Sequence, residues 1–214
     1  MKYKVAYIDE VDRDIRSFKR SVLLRANVKF DVITVKPKSS IEDTVSEVFE
    51  QYADAVVAAF RLSEEDPKVH YNGSDVIKKV LETRKDFPVF ILTSFEDDAV
   101  DKGFDVNIVY EKKDIQSDSK FFDKVIMQIK KHKAKIESAE IRLLELIEKK
   151  KSEPLLQSEE QEFLDLDKLI EGSLDKRGIV PEDLKINSNA ERLESILKKA
   201  DEIINEVKKK ENNG

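Results

Sequence analysis

The first 120 residues alternate short apolar runs with segments that carry an amphipathic helical pattern. Most of the apolar runs are nearly continuous, which is typical of parallel strands covered on both faces. This alternation predicts a doubly wound α/β fold with right-handed crossovers, whose functional crevice lies at the carboxyl ends of the strands. The five predicted strands are Lys4–Ile8, Phe30–Val35, Ala55–Phe60, Val89–Thr93 and Asn107–Tyr110.

Three amphipathic segments between these strands are predicted to be helices that face the sheet. Ser40, with Asp43 three residues on, is predicted to cap the second helix, and the turn Asn72-Gly73 precedes the third. The apolar stripes are Ile15, Phe18, Val22 and Leu23 in the first helix, Ile41, Val45, Val48 and Phe49 in the second, and Val76, Ile77, Val80 and Leu81 in the third.

From about Phe121 the strand pattern stops and a helical pattern continues to the end of the chain. Alternating steps of three and four residues predict a long coiled-coil-like helix, with a break at residues 152–154. Its seam is Phe122, Val125, Ile129, His132, Ile136, Ala139, Leu143 and Leu146. A second helix carries Phe163, Leu166, Leu169 and Ile170 and ends near Gly172 or Gly178, and a third carries Leu193, Ile196, Leu197, Ala200, Ile203, Ile204 and Val207.

The change of pattern divides the chain into an α/β domain at 1–120 and a helical interaction region at 121–214. The long seam favours a homodimer, but packing of the later helices on the same chain would also bury it.

Composition narrows the classes of function. A net charge of -6 argues against binding of nucleic acid or of an anionic membrane surface, and the absence of cysteine excludes disulfides and thiolate sites. No apolar run reaches membrane-spanning length and no apolar signal segment precedes the first strand, so we expect a cytoplasmic protein. There is no glycine-rich phosphate loop, and we expect no enzymatic activity.

Polar residues follow three of the predicted strands. Asp9 and Glu10 follow the first strand, Thr93 ends the fourth, and the pair Lys112-Lys113 follows the fifth. These ends meet at one edge of a parallel sheet. Adjacent carboxylates repel each other unless a cation shares the site, which suits Mg²⁺. The alternative is a helix N-terminus rich in acids, since Asp12 and Asp14 come next.

The order of these residues on this strand pattern resembles the receiver domain of bacterial two-component response regulators, over about residues 2–130. The resemblance implies a flavodoxin-like receiver fold in which Asp9 and Glu10 hold Mg²⁺ and Thr93 is the hydroxyl that hydrogen-bonds the phosphoryl group. It assigns the phosphoryl-pairing lysine to Lys112, with Lys113 as the alternative. Tyr110 takes the position of the family's switch aromatic only if Lys113 is that lysine.

One position departs from the family pattern. Ala59, before Phe60-Arg61-Leu62, stands where the resemblance places the aspartate that accepts the phosphoryl group. A methyl group is no nucleophile, so the chain as written is expected to be phospho-null, and Mg²⁺ loses one ligand. Because the neighbouring positions match, an engineered replacement is favoured. The alternative is a natural pseudo-receiver that acts as a phosphorylation-independent scaffold or dimerisation adaptor.

The resemblance further implies a phosphorelay. A histidine kinase or phosphotransfer protein would supply the signal, and an effector protein would receive it through the C-terminal helices. The two histidines fit other roles: His70 is expected to be a solvated loop residue, and His132, on the heptad seam, a packed histidine rather than a phosphotransfer site.

Overall fold

The computed structural model describes residues 2–26, 30–63, 66–94, 108–117 and 119–174. Five parallel strands form one sheet in the order β2-β1-β3-β4-β5, which is the flavodoxin-like order of doubly wound folds. The predicted fold class is therefore confirmed. The strands are β1 (Tyr3–Ile8), β2 (Phe30–Val35), β3 (Ala55–Ala59), β4 (Val89–Thr93) and β5 (Val109–Glu111).

The strand bounds follow the hydrophobic runs closely. The predictions for β2 and β4 match to the residue, whereas β1 begins one residue earlier and β3 ends one residue earlier than predicted. The prediction for β5 began at Asn107, which lies outside the described residues; the strand itself continues to Glu111.

Six helices are described. They are α1 (Asp12–Arg25), α2 (Ile41–Glu50), α3 (Gly73–Thr83), α4 (Asp114–Ser117), α5 (Lys120–Ser152) and α6 (Gln157–Leu174). The Ser40 side chain accepts a hydrogen bond from the Asp43 N–H, as predicted for α2. Asn72 and Asp75 form a reciprocal capping box at the start of α3.

The sheet is covered on both faces. Helices α2 and α3 cover one face, and α1 with the first part of α5 covers the other. The predicted stripes lie in these layers except at one position: Leu23 was predicted to face the sheet, but it is 83% exposed. The buried stripe of α1 instead includes Ser21 beside Val22, because Leu23 lies about 100° further round the helix.

Helix α5 uses its predicted seam against two different partners. From Phe122 to Ile129 the seam packs on the sheet. Beyond the amino edge of the sheet, Ala139 and Leu146 are buried where α6 packs back against α5. The seam therefore has partners within the chain, and a coiled-coil dimer stays a prediction.

The break predicted at residues 152–154 is confirmed, since α5 ends at Ser152. Helix α6 continues through Gly172 and ends at Leu174. The predicted third helix lies outside the described residues. All described residues belong to one compact unit, residues 1–177, and the domain boundary at residue 120 stays a prediction. In the part of the chain that the structure describes, the helices lack the length and apolar character that crossing a membrane requires.

Candidate functional site

A cavity of about 220 Å³ opens at the carboxyl edge of the sheet. The strand ends of β1, β3 and β4, the start of α1 and the turn after β5 supply its walls. The described lining residues are Asp9, Val11, Arg13, Asp14, Phe60, Arg61, Leu92, Thr93, Ser94 and Lys112. Three positions singled out in the sequence, Asp9, Thr93 and Lys112, are thus brought together.

Asp9 is fully buried at the end of β1, and both of its carboxylate oxygens accept hydrogen bonds. The Tyr7 hydroxyl donates to Oδ2 over 2.6 Å, and the Val11 N–H donates to Oδ1 over 3.0 Å. The Tyr7 ring stacks on Phe18 with the ring centroids 4.1 Å apart, which fixes the hydroxyl donor. The Asp9 carboxylate is therefore held rigidly at the cavity wall.

The Lys112 ammonium lies between two carboxylates. Its Nζ donates to Asp9 Oδ2 over 3.0 Å and to Asp14 Oδ2 over 2.6 Å. The Lys112 backbone N–H donates to the Thr93 carbonyl over 2.7 Å, so the turn after β5 is fixed to the end of β4. Lys113 instead pairs with Glu111 and is largely exposed. Of the two candidate lysines, Lys112 is the one that lines the cavity.

Asp14 enters the site from the first turn of α1. Burial raises the pKa of its carboxyl, but the hydrogen bond and the charge of Lys112, together with Arg13, outweigh burial, so the pKa lies below its usual value. Asp14 is thus a carboxylate at neutral pH.

The pKa of the Tyr7 phenol is shifted upward, whereas that of Asp14 is shifted downward. Burial, then the charge of Asp9 and the hydrogen bond to it, raise the pKa of Tyr7 well above its ordinary value. Tyr7 therefore stays a neutral donor to the buried carboxylate.

The charged lining residues that the structure describes carry a slight positive excess. Arg13, Arg61 and Lys112 bring three positive charges, against two negative charges from Asp9 and Asp14. The hydroxyl-bearing residues Thr93 and Ser94 add further hydrogen-bonding capacity, because a hydroxyl group serves as donor or acceptor. Such a set suits a small oxyanion in reach of ammonium and guanidinium groups.

Two of the predicted site residues lie elsewhere. Glu10 is buried but does not line the cavity. Glu10 follows Asp9 in the short segment between β1 and α1, beyond the last residue of the strand. Ala59 is buried in the apolar cluster under α2 and α3, and it is also absent from the lining residues.

The donors present do not fit the predicted Mg²⁺ ion. Mg²⁺ requires oxygen ligands in near-octahedral geometry, whereas Asp9 already accepts from three donors and Asp14 is paired with an ammonium group. Within the described residues, no group of three or more histidine, cysteine or carboxylate side chains could hold a metal ion. The place between the two acids is taken by Lys112.

The sequence did not identify three of the charged lining residues, Arg13, Asp14 and Arg61. The sequence places Asp14 among several acids at a helix N-terminus, and the feature that marks it as a site residue is its position five residues after Asp9, within the first turn of α1. Arg13 is its neighbour in that turn, and Arg61 follows β3 by two residues. Neither arginine is predicted as a site residue from the sequence, although Arg61 belongs to the motif that follows Ala59.

The two histidines lie outside this cavity. His70 is exposed in the loop before α3, as expected. His132 packs edge-on against Phe87, with the ring centroids 5.7 Å apart, at the amino edge of the sheet. Burial lowers the pKa of His132, and the nearby charge of Asp86 only partly offsets this. His132 is thus a packed, neutral histidine in this environment.

A scan against protein-family models and a search of curated proteins found no match. Among solved structures, the chain is similar to the anti-anti-sigma factor PhyR from Bartonella quintana, with 15% identity over 65% of this chain and 51% of that one and a TM-score of 0.43. The chain thus spans about half the length of that protein.

Two further similar structures are response regulators. For the bacteriophytochrome response regulator AtBRR, the identity is 14% over 60% of this chain and 93% of that one, with a TM-score of 0.44. For the Mn²⁺-bound form of response regulator Rcp1 it is 13% over 53% and 89%, with a TM-score of 0.38. Likeness at this level does not establish function, and the assignment of the fold rests on the order of the strands.

Proposed function

We propose that this protein is a receiver-type signalling protein that acts, in the chain as it stands, without being phosphorylated. The observation that carries the proposal is the meeting of Asp9, Thr93 and Lys112 at one cavity to which Ala59 brings no carboxylate. Three strands deliver these residues to the carboxyl edge, which is where doubly wound sheets place their ligand sites.

An aspartyl phosphate forms when a carboxylate oxygen attacks the phosphorus of a phosphoryl donor and the bond from phosphorus to the donor's leaving group breaks, the leaving group taking the bonding electron pair. Alanine has no such oxygen. A signal would then pass through protein contacts, with an effector bound by the C-terminal helices, rather than through catalysis. We expect no role for Mg²⁺ in this form, because the Lys112 ammonium already occupies the place between the two acids at the cavity.

A second candidate is a phosphate-accepting form in which aspartate occupies position 59. It is favoured by the backbone hydrogen bond from Lys112 to Thr93, which brings both side chains that would hold phosphoryl oxygens to the same cavity. A histidine kinase or a phosphotransfer protein would be the donor. The codon at this position in the source gene distinguishes this form from a natural pseudo-receiver.

The test is incubation of the full chain with a small acyl phosphate and Mg²⁺, followed by intact-mass measurement. We expect no mass change for the chain as it stands, a gain of one phosphoryl group for Ala59→Asp, and no gain for the isosteric control Ala59→Asn. A gain in the unaltered chain would overturn phosphorylation independence. A folded Ala59→Asp variant that gains nothing would overturn the receiver assignment.

The helical region would also support a homodimer through α5. Light scattering on the full chain and on a chain that ends before Ser152 tests this. A monomer in both cases would exclude the dimer without affecting the assignment of the pocket.

A further inference from the structure

Lys112 is anchored by carboxylates from two different elements. Asp9 belongs to the end of β1 and Asp14 to the first turn of α1, and both place Oδ2 within 3.0 Å of the Lys112 Nζ. The Lys112 side chain is 21% exposed and that of Asp9 is 1% exposed. An ammonium group between two acids in such a site neutralises charge that would otherwise be costly to bury.

The Asp9 carboxylate has little capacity left for another cation. Oδ2 accepts from both Tyr7 and Lys112, and Oδ1 accepts from the Val11 N–H. A divalent ion would have to displace the lysine from Asp9 and from Asp14 together. The strand that ends at Ala59 brings no replacement carboxylate to the cavity.

We propose that the Lys112 ammonium is the resident cation of this pocket, and that Asp14 is the positioning residue that keeps it there. Asp14 thereby supplies the second carboxylate that position 59 lacks. With Lys112 in place, the pocket takes up no divalent cation. This inference goes beyond the proposed function, since it holds whether or not the helices bind an effector.

Asp12 provides the matched comparison for Asp14. Both acids lie in the first turn of α1, where either stabilises the helix N-terminus. Asp12, however, pairs with Lys36 over 2.7 Å and does not line the cavity. A general helix-end effect is therefore shared by the two residues, whereas the hold on Lys112 belongs to Asp14.

The first test measures how fast each lysine of the full chain is acetylated by limiting acetic anhydride, read by peptide mass spectrometry. We expect Asp14→Asn to raise labelling of Lys112 severalfold, because one of its two anchors is gone. Asp12→Asn should leave Lys112 unchanged and raise labelling of Lys36. Equal labelling of Lys112 in Asp14→Asn and in the unaltered chain would overturn the role of Asp14.

The second test compares thermal unfolding midpoints in MgCl₂ and in NaCl of matched ionic strength. We expect no specific effect of Mg²⁺ on the unaltered chain or on Lys113→Met, and a midpoint raised by Mg²⁺ in Lys112→Met, where the two acids are left without their cation. If Lys112→Met folds only when Mg²⁺ is added, that result supports the proposal equally. A Mg²⁺ response of the unaltered chain, or none in Lys112→Met, contradicts the proposal.

Discussion

Two ion-pair clusters in this protein have similar distances and different surroundings. In the pocket, Lys112 contacts Asp9 and Asp14 at 3.0 and 2.6 Å, and Asp9 is buried. Between α5 and α6, Arg142 makes two hydrogen bonds of 2.8 Å to Glu162, but both side chains are about 40% exposed. Water can replace a lost partner more easily in the second cluster than at Asp9, whose side chain is 1% exposed. The burial of the charged groups, more than the distance between them, determines how much each cluster contributes to the free energy of unfolding.

The sheet and the α5–α6 hairpin also differ in how much of their apolar surface is buried. The sheet is packed on both faces, and its central strand β3 is buried throughout. The α5–α6 hairpin has a single apolar stripe, in which Leu146 and Phe163 are buried, flanked by exposed charged pairs. We therefore expect the hairpin to open locally at a lower free energy than the sheet.

The largest effect is expected from removing the pocket cation. Lys112→Met should lower the free energy of unfolding by about 3 kcal/mol, because Asp9 keeps a buried charge without its partner. Urea denaturation at neutral pH and low Mg²⁺ measures this loss.

Arg142→Met is the matched control, since it removes a cation with equally short contacts at an exposed site. Its effect on the urea midpoint should be a small fraction of that of Lys112→Met. Equal losses in the two variants would show that burial does not distinguish the clusters.

A smaller and local effect is expected at the hairpin. Leu146→Ala should cost about 2 kcal/mol, at the low end for leucine-to-alanine changes, because the two helices can close around part of the lost volume. Hydrogen exchange should accelerate in α6 and in the second half of α5, while the amides of β1 and β3 keep their protection. Faster exchange throughout the sheet would show that hairpin and sheet unfold together.

The smallest expected effect is a pH dependence of stability that arises from His132 at the amino edge of the sheet. Burial lowers the pKa of His132 from 6.5, against the charge of Asp86, while Lys135 and Arg84 favour the same direction as burial. The folded state thus prefers the neutral ring, so this contribution is complete above about pH 6.5 and is lost as pH falls through the lowered pKa.

Urea denaturation across this range should show a loss of stability in the unaltered chain that is reduced in His132→Gln. An identical pH dependence in both proteins would remove His132 as its source.

Most of the fold was predictable because parallel strands are continuous apolar runs. The strands Phe30–Val35 and Val89–Thr93 matched to the residue for this reason. Convergence of Asp9, Thr93 and Lys112 followed from one rule, that the carboxyl ends of parallel strands share an edge. The prediction that Leu23 faces the sheet was wrong. Adjacent residues on a helix lie about 100° apart, and the sequence does not show where the buried stripe ends.

The remaining features of the site depend on side-chain direction. Glu10 is adjacent to Asp9 in sequence but does not line the cavity. Asp14 lines the cavity because the first turn of α1 forms part of its wall. The choice between Lys112 and Lys113 depended on a register at the end of β5 that a short strand leaves ambiguous. These are tertiary contacts, which residue spacing alone does not fix.

Nitrogen-15 NMR of the lysine side chains tests most directly whether Lys112 is the resident cation of the pocket. The variant Lys112→Arg assigns the signal of its ammonium group. An ammonium held by Asp9 and Asp14 should exchange its protons slowly, give a distinct signal, and keep it unchanged when Mg²⁺ is added. A Lys112 signal that is averaged with those of exposed lysines, or that is displaced by Mg²⁺, would contradict the account.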